Sequence, residues 1–414
     1  MRQTSIRGVV SVTIGVVVLG AVPAVHAADG KPVDGHIMTR WAKNVDPRSP
    51  LPEYPRPQLQ REEWKSLNGL WEYAITASNA PRPETMTGQI LVPFSPEAAL
   101  SGVKMAPLTS EQRLWYRRTF TAPVPTDGRR LLLHFGAVDW DAKVVVNGKA
   151  VGAHRGGYDN FTCDITDAVK TGDGNELVVS VNDATGGMQP KGKQKMGAVA
   201  RNRSMRYTPI SGIWQTVWLE TVPQAWIGGL KLVPDVEAGV LRVKVIGNGK
   251  SEEKVEAGAS AGGREVGRVS GAPGSELAIP VKGPRLWSPA DPFLYDLVVT
   301  WGKDRVTSYF GMRSITVGKD EKGILRTLLN GKFVMQCGLL DQGYWPDGMF
   351  TAPADEAFKY DLEMTLKLGY NMARKHVKIE PDRWYYWADK LGVLVWQDMP
   401  CALGGGGAHQ DPPP

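Results

Sequence analysis

The sequence has 414 residues, of which 42% are hydrophobic and 22% are charged. One hydrophobic core rarely organises a chain of this length, so we expect several domains in a globular protein. The formal net charge of +6 is small and the basic residues are scattered, which argues against a nucleic-acid partner. Cys163, Cys337 and Cys401 lie far apart beside apolar runs. We expect them to be small buried side chains rather than a disulfide framework or a metal site.

The N-terminus has the pattern of a secretory signal. Arg2 and Arg7 precede an apolar run over residues 8–22, and small residues then permit cleavage after Ala27. That run is too short for a membrane span, and no later stretch is long and apolar enough to form one. We therefore expect an exported protein, periplasmic or secreted, with an uncleaved N-terminal anchor as the alternative. Loss of Arg2 and Arg7 would lower the formal net charge from +6 to +4, and residues 28–54 would form a leader.

Two stretches of short strands follow. From about residue 55 to 224, β-rich segments such as residues 131–135 alternate with turns and no long helix intervenes. Asn147-Gly148 is a strong hairpin signal, because both residues tolerate the positive φ of a type I′ turn. This pattern favours a jelly-roll β-sandwich. Residues 225–316 are also rich in strands, and their number suits an immunoglobulin-like β-sandwich.

After Ser314 the pattern changes to strands that alternate with helices. Three apolar strands are predicted, at residues 333–340, 371–377 and 391–396, with helices between them at residues 355–368 and 381–391. The first strand should be nearly continuous and the third fully buried. A β-α-β-α-β order predicts a parallel sheet. Functional side chains are expected at the carboxyl ends of its strands.

Several motifs, in this domain order, resemble those of glycoside hydrolase family 2, which includes β-galactosidases, β-glucuronidases and β-mannosidases. They are Leu67-Asn68-Gly69-Leu70-Trp71, Val146-Asn147-Gly148, His154-Arg155-Gly156-Gly157-Tyr158, Ser211-Gly212-Ile213-Trp214-Gln215, Leu286-Trp287-Ser288-Pro289, Phe310-Gly311-Met312-Arg313 and Asn371-Met372-Ala373-Arg374. The resemblance implies that residues 317–414 begin a (β/α)8 TIM barrel. A barrel takes about 250 residues, so we expect only its first three strands here, in a truncated catalytic domain.

The resemblance also implies retaining hydrolysis by two glutamates at the ends of later strands, with the acid/base directly after an asparagine. Such carboxylates lie about 5–5.5 Å apart. No Asn-Glu pair occurs after residue 314, and Asn175-Glu176 lies at the start of a sandwich strand. We therefore expect the catalytic pair beyond residue 414 and no turnover by this chain alone. We assign no cofactor and no metal ligand.

The strand ends that are present carry candidate contacts for a β-linked glycoside. After the first of them, Asp341, Trp345 and Asp347 combine an aromatic platform with carboxylates, which suits a sugar ring. A solvated loop above a packed Trp345 is the alternative. Arg374 matches the family's arginine at the second strand end, which the resemblance places near the nucleophile. A buried structural arginine is the alternative there.

Three further candidates follow. His376 departs from the galactosidase and mannosidase patterns, so the sugar stays open, and a core imidazole is the alternative to a hydroxyl contact. Trp396 and Asp398 are assigned to the pocket at the third strand end, although Asp398 could instead cap a turn. Two other functional readings stay open. One is a non-catalytic carbohydrate-binding or adhesion protein that uses the sandwiches, and the other is a chain that pairs with a separate second half or forms a homo-oligomer.

Overall fold

The computed structural model describes residues 30–103, 105–123, 127–187, 189–196 and 206–401. The expected signal sequence at residues 1–27 and the tail from residue 402 lie outside these ranges. Strands predominate, and the described residues contain two α-helices. Neither helix is long and apolar enough to cross a bilayer.

The first sandwich is antiparallel. Its strands are β1 Trp64–Ser66, β2 Gly69–Ala77, β3 Gly88–Val92, β4 Gln112–Ala122, β5 Arg130–Phe135, β6 Val138–Asp139, β7 Asp141–Val146, β8 Lys149–Arg155, β9 Phe161–Asp164, β10 Gly172–Asn182, β11 Gly212–Ile213 and β12 Val217–Val222. A sheet in the order β3-β2-β4-β10-β7-β8 faces one in the order β1-β12-β5-β9, and their apolar faces form one core. The Asn147-Gly148 turn between β7 and β8 is confirmed, with φ values of +49° and +80°.

The second sandwich is smaller. Its strands are β13 Trp226–Asp235, β14 Val240–Asn248, β15 Val255–Ala261, β16 Arg264–Gly271, β17 Glu276–Pro280, β18 Tyr295–Trp301 and β19 Asp304–Phe310. They form two antiparallel sheets, in the orders β13-β14-β17 and β16-β15-β18-β19. Alternate residues of β14 and β18, such as Val243 and Leu297, enter the shared core. Seven antiparallel strands in two sheets match the immunoglobulin-like architecture.

A small antiparallel sheet follows, formed by β20 Ile315–Lys319, β21 Leu325–Leu329 and β22 Lys332–Phe333. β20 crosses the domain boundary expected at residue 317. The expected continuous strand over residues 333–340 is wrong, because β22 ends at Phe333 and the next strand begins at Gly338. The chain changes partner between them, from the antiparallel β21 to a parallel sheet.

The last unit is parallel. It consists of β23 Gly338–Asp341, α1 Asp355–Lys367, β24 Met372–Lys375, α2 Asp382–Leu391 and β25 Leu394–Gln397, with β24 in the centre of the sheet. Both helices pack on one face, where Ala373 contacts a cluster that includes Leu362 and Trp384. Gly392 ends α2 with φ +84°, as expected from its position. The β-α-β-α-β prediction is confirmed for these residues.

The third strand begins later than expected and is not fully buried. Leu391 belongs to α2 alone, β25 begins at Leu394, and Trp396 in β25 is 52% exposed. Alternate residues of β25 face the helices, whereas the others face a side that no described element covers. Cys163 is buried, but Cys401 is half-buried and Cys337 is exposed in the segment between β22 and β23. All three cysteines are free.

A buried ion network joins the two sandwiches. The Arg61 guanidinium donates to Asp304 at 2.7 and 3.2 Å, to Glu220 at 2.9 Å and to the Ile227 carbonyl at 2.5 Å. Burial acts to raise the pKa of Glu220, but His134 and the two nearby guanidinium groups outweigh it and hold that pKa far below its ordinary value. Glu220 lies on β12 and Asp304 on β19, so one arginine fixes the position of one sandwich against the other.

We expect Arg61→Ala to lower the free energy of unfolding by about 3–5 kcal/mol, because it leaves the buried Asp304 without its cation and removes one of the two guanidinium groups that face Glu220. Urea denaturation followed by tryptophan fluorescence measures this loss. The matched control is Arg305→Ala, whose ion pair with Glu62 at 3.4 Å is exposed on both sides. The control should cost less than about 1 kcal/mol. Equal losses in the two variants would contradict the role assigned to Arg61.

Candidate active site

The carboxyl ends of the three parallel strands meet at one edge of the sheet. In register, Leu340 pairs with Arg374 and Arg374 with Trp396, while Asp341 pairs with Lys375 and Lys375 with Gln397. Partners in register point to the same face, and successive residues point to opposite faces. Arg374 and Trp396 therefore share the open face, whereas Lys375 lies on the face covered by the helices.

Three predicted site residues form one cluster at this edge. Arg374 donates through Nε to both oxygens of Asp398, at 3.2 and 3.1 Å, and its Nη2 lies 3.0 Å from Oδ2. His376 Nδ1 lies 2.6 Å from the same Oδ2. The main chain holds Asp398 in place, because its N–H donates to the Lys375 carbonyl at 2.9 Å. We call Arg374, His376 and Asp398 the strand-end cluster.

The strand-end cluster places the Asp398 carboxylate against the Arg374 guanidinium and the His376 imidazole. Partial burial acts to raise the pKa of Asp398, but the hydrogen bonds from His376 and Arg374 outweigh it and hold this pKa below its ordinary value. The carboxylate is therefore ionised, and Nδ1 of His376 is the nitrogen that donates to it. This arrangement leaves Nε2 of His376 available for a hydrogen bond with a ligand hydroxyl.

Trp396 adds an aromatic surface beside the cluster. Its indole N–H donates to the side chain of Gln336, and the ring system remains 52% exposed. Leu340, on the other side of Arg374, is also 52% exposed. An accessible indole beside a guanidinium and an imidazole provides both a stacking surface and hydrogen-bonding groups.

Asp341 lies on the opposite face and is not brought to the cluster. Its Oδ2 is 2.7 Å from Lys375 Nζ, and its Oδ1 accepts from the Gly343 N–H at 2.9 Å. Lys375 also binds Glu380 at 2.7 Å, and Glu380 in turn lies 3.0 Å from Lys378. Burial lowers the pKa of Lys378 to about 8, although Glu380 acts in the opposite direction. This buried network holds the carboxyl ends of the strands in place on the face that the helices cover.

Trp345 and Asp347 also have protein partners. Trp345 packs edge-on against Trp41 and Phe358, with ring centroids 6.3 and 6.1 Å apart. Asp347 is fully buried and accepts hydrogen bonds from the N–H and hydroxyl of Thr39, at 2.9 and 2.6 Å. Both side chains therefore hold the N-terminal segment against the α/β unit and lie apart from the strand-end cluster.

Sequence reasoning missed a loop that reaches the strand ends from the first sandwich. The docking loop, residues 183–187 and 189–196, follows β10. The N–H groups of Lys191 and Gly192 donate to the Cys401 carbonyl, at 3.2 and 3.0 Å. Gly192 lies so close to Val377 that a Cβ there would be 2.3 Å from its carbonyl oxygen. Val377 has φ +51°, which is rare for a β-branched residue and places this backbone under strain.

Three carboxylates at this edge have a cation partner. Asp341 and Glu380 bind Lys375, and Asp398 binds Arg374. Within the described ranges, no group of three His, Cys, Asp or Glu side chains is placed to hold a metal ion. The edge can therefore bind and orient a polar ligand, while the described residues supply no pair of free carboxylates there.

Comparison with known proteins identifies the protein family of this chain. Two β-sandwiches followed by a parallel α/β unit have the domain order of a multidomain glycoside hydrolase. Residues 100–224 match the glycosyl hydrolase 2 galactose-binding domain-like family, and residues 230–313 match glycosyl hydrolases family 2. The chain belongs to glycoside hydrolase family 2.

Proteins similar to this chain are named as β-glucuronidases or β-galactosidases. A putative β-glucuronidase of Formosa agariphila is 29% identical over 323 residues, which are 74% of this chain and 37% of that protein. A β-galactosidase of Thermoanaerobacter pseudethanolicus is 26% identical, over 69% of this chain and 39% of that protein. The solved structure of Faecalibacterium prausnitzii β-glucuronidase superposes with a TM-score of 0.68 and 26% identity, over 86% of this chain and 62% of that one. The chain thus spans about two fifths of the length of these two curated relatives.

We expect Gly192→Ala to loosen the docking loop, because the new Cβ would meet the Val377 carbonyl and the residue would keep φ +57°. The positive φ alone costs about 1–2 kcal/mol, which corresponds to roughly a five-fold or larger rise in the open population. Limited trypsin digestion after Lys191 or Lys193 measures it. Gly186→Ala is the matched control, since nothing lies within 4 Å of its Cβ position. Cleavage rates that rise equally in both variants, or in neither, would contradict this role.

Proposed function

We propose that this chain forms part of a retaining exo-β-glycosidase of family 2 and contributes one side of its sugar pocket. The observation that carries the proposal is the strand-end cluster. Arg374, His376 and Asp398 converge beside an exposed Trp396 at the carboxyl edge of a parallel sheet. Functional groups of parallel α/β enzymes lie at this edge. The substrate class is a β-linked glycoside of the β-galactoside or β-glucuronide type.

Each member of the edge has a distinct role in this proposal. The Trp396 ring offers an apolar surface to the C–H face of a sugar, while its N–H is held by Gln336. Nε2 of His376 forms a hydrogen bond with a sugar hydroxyl. Arg374 supplies positive charge and N–H donors to a carboxylate of the reaction centre, which keeps that carboxylate ionised and nucleophilic. Asp398 orients both His376 and Arg374 without needing to touch the sugar.

Retaining hydrolysis needs two carboxylates that are free to react. One attacks the anomeric carbon and expels the aglycone, which the other protonates, and water then releases the sugar from the glycosyl-enzyme intermediate. Since Asp341, Glu380 and Asp398 are all paired with cations, we assign neither role to them. We propose that strands outside the described residues extend the sheet at β23 and β25 into a (β/α)8 barrel and supply both glutamates.

The competing proposal is a non-catalytic carbohydrate-binding protein that uses the sandwiches. The match of residues 100–224 to a galactose-binding-like family favours it. The open face of the α/β unit favours the enzyme, because Leu340 and Trp396 on this face are each 52% exposed. A barrel would cover these side chains, whereas a stand-alone binding protein would leave them in water.

We expect the purified chain to bind methyl β-galactoside or methyl β-glucuronide weakly at the strand-end cluster and not to hydrolyse nitrophenyl β-glycosides. Saturation-transfer NMR measures binding, and Trp396→Ala should abolish the signal because the stacking surface is removed. Arg285→Ala is the control, since its ion pair with Asp291 is exposed and distant in the second sandwich.

Sugar binding that survives Trp396→Ala and Arg374→Ala would favour the sandwiches as the site of sugar binding. Turnover that co-purifies with the chain and is lost in Arg374→Ala would contradict the assignment of the catalytic pair.

We also propose that the protein is exported, on the basis of the charged, apolar and small-residue pattern of residues 1–27. N-terminal sequencing of the protein recovered from periplasm or medium should give Ala28 as the first residue. A protein that retains Met1 and sediments with membranes would support the uncleaved anchor instead.

A further inference from the structure

Three carboxyl groups are buried together beneath the docking loop. Glu97 lies between β3 and β4, Asp139 ends β6 and Asp183 begins the docking loop, and their exposed fractions are 5%, 1% and 1%. Each lies close enough to affect the others, since Asp183 and Glu97 both raise the pKa of Asp139 and Asp183 raises that of Glu97. We call these three residues the acid cluster.

The hydrogen-bond donors to the acid cluster are neutral. Asp139 accepts from the Gln194 amide at 2.9 Å, Asp183 from the Gln189 amide at 2.7 Å, and Glu97 from the Ser211 N–H at 3.0 Å. One oxygen of Glu97 and one of Asp139 have no hydrogen-bond partner among the described residues. Buried carboxylates normally have a cation or several donors, so this environment disfavours their ionised form.

The pKa shifts agree with this environment. Burial raises the pKa of Glu97 to about 8 and that of Asp183 to about 6, and it raises the pKa of Asp139 well above its ordinary range. Within the described residues, no cluster of this kind has the geometry to hold a metal ion. At pH values below these raised pKa values, protonation neutralises the acid cluster.

The same contacts tether the docking loop. Asp183 holds Gln189, and Asp139 holds Gln194, whose other amide atom accepts from the Ile210 N–H at 2.7 Å. Between these two glutamines lie Lys191 and Gly192, which bind the Cys401 carbonyl beside the strand ends. The acid cluster is thus the inner anchor of a loop whose outer end contacts the strand-end region.

We propose that the acid cluster is a pH-sensitive anchor, which holds the docking loop on the strand ends when protonated and releases it when ionised. The sign follows from the direction of the shifts. Groups whose pKa is raised on folding contribute stability that is complete below their ordinary pKa and is lost as the pH rises through the folded value. For Asp183 that loss runs from the ordinary pKa of 3.8 to about 6, and for Glu97 from 4.5 to about 8. Ionisation then places like charges together in a buried site.

Among the other titratable groups around the cluster, Lys191 opposes this sign, because its charge lowers the pKa of Asp183, but burial outweighs it. Tyr116, Tyr158 and Tyr344 have a pKa raised by burial, so they stay neutral across this range. The cations facing the loop are Lys191 and Arg206. The Lys191 ammonium donates to the carbonyls of Thr185 and Gly187 at 2.8 and 2.9 Å, and burial together with Arg206 lowers its pKa. The Lys378 ammonium lies over the Trp214 ring and is engaged by Glu380, and the Cys401 thiol flanks Tyr158.

Hydrogen–deuterium exchange of the full chain tests the anchor. Protection factors, corrected for intrinsic exchange, are measured for residues 189–196 at about pH 5.5 and about pH 8.5. We expect protection in the unmodified chain to fall about ten-fold or more at the higher pH, since one unit of pKa shift corresponds to a factor of ten. Glu97→Gln should reduce this fall most, because the raised pKa of Glu97 lies inside the measured range, and Asp183→Asn should reduce it less, because the pKa of Asp183 lies near the lower pH. Glu237→Gln, at an exposed position of the second sandwich, should behave like the unmodified chain.

Three outcomes would overturn the proposal. They are protection that does not change with pH, a full pH dependence that survives in both variants, and protection restored at the higher pH by Ca²⁺ or Mg²⁺, which would indicate a cation site. Near-ultraviolet circular dichroism identifies any variant that does not fold, and the other variant then decides the result. The readout needs no hydrolysis, so it stands or fails separately from the proposed glycosidase activity.

Discussion

The position of the strand ends relative to the sandwiches depends on a few directional main-chain contacts. The docking loop donates two N–H groups to the Cys401 carbonyl, and the Thr351 hydroxyl contacts the carbonyls of Pro93 and Trp214, at 3.1 and 2.6 Å. From the second sandwich, the Trp287 indole donates to the Asp389 carbonyl at 2.7 Å and Arg313 pairs with its carboxylate. Both sandwiches therefore hold the α/β unit, each through a different side of it.

Apolar packing supports these contacts without setting their direction. Tyr158, from the Gly-Gly-Tyr motif of the first sandwich, packs against Trp214 and Phe350, whose centroids are 6.1 and 5.9 Å away. Such packing tolerates small rotations, whereas hydrogen bonds to a carbonyl oxygen lose strength when their angle changes. The polar contacts therefore define the orientation in which the docking loop borders the strand-end cluster. Tyr158 of this motif therefore packs between the first sandwich and the α/β unit.

The sequence predicted what depends on local pattern and missed what depends on distant partners. The Asn147-Gly148 hairpin and the end of the second helix at residue 391 were both predicted, and both follow from backbone preferences, since Gly392 adopts the positive φ that ends the helix. The strand at residues 391–396 was placed too early and considered buried, because a short apolar run does not reveal which faces have neighbours. The acid cluster could not be predicted from the sequence, because residues 97, 139 and 183 come together only in the folded sandwich. Asp347 was assigned to a pocket because its neighbours suggested a loop, but Thr39, over three hundred residues earlier, buries it.

The Arg374–Asp398 contact bears on the assignment of the reaction centre. A guanidinium has five N–H donors in a rigid plane, and it can bind two carboxylates on two of its edges. Asp398 occupies Nε and Nη2, so that Nη1 has no hydrogen bond to a described residue. Were Asp398 the carboxylate that reacts, its bonds to Arg374 and His376 would lower its basicity and tie up both oxygens. The geometry instead suits a carboxylate that fixes the guanidinium and directs its remaining edge across the open face. A nucleophilic carboxylate from another strand would pair with this remaining edge of the Arg374 guanidinium.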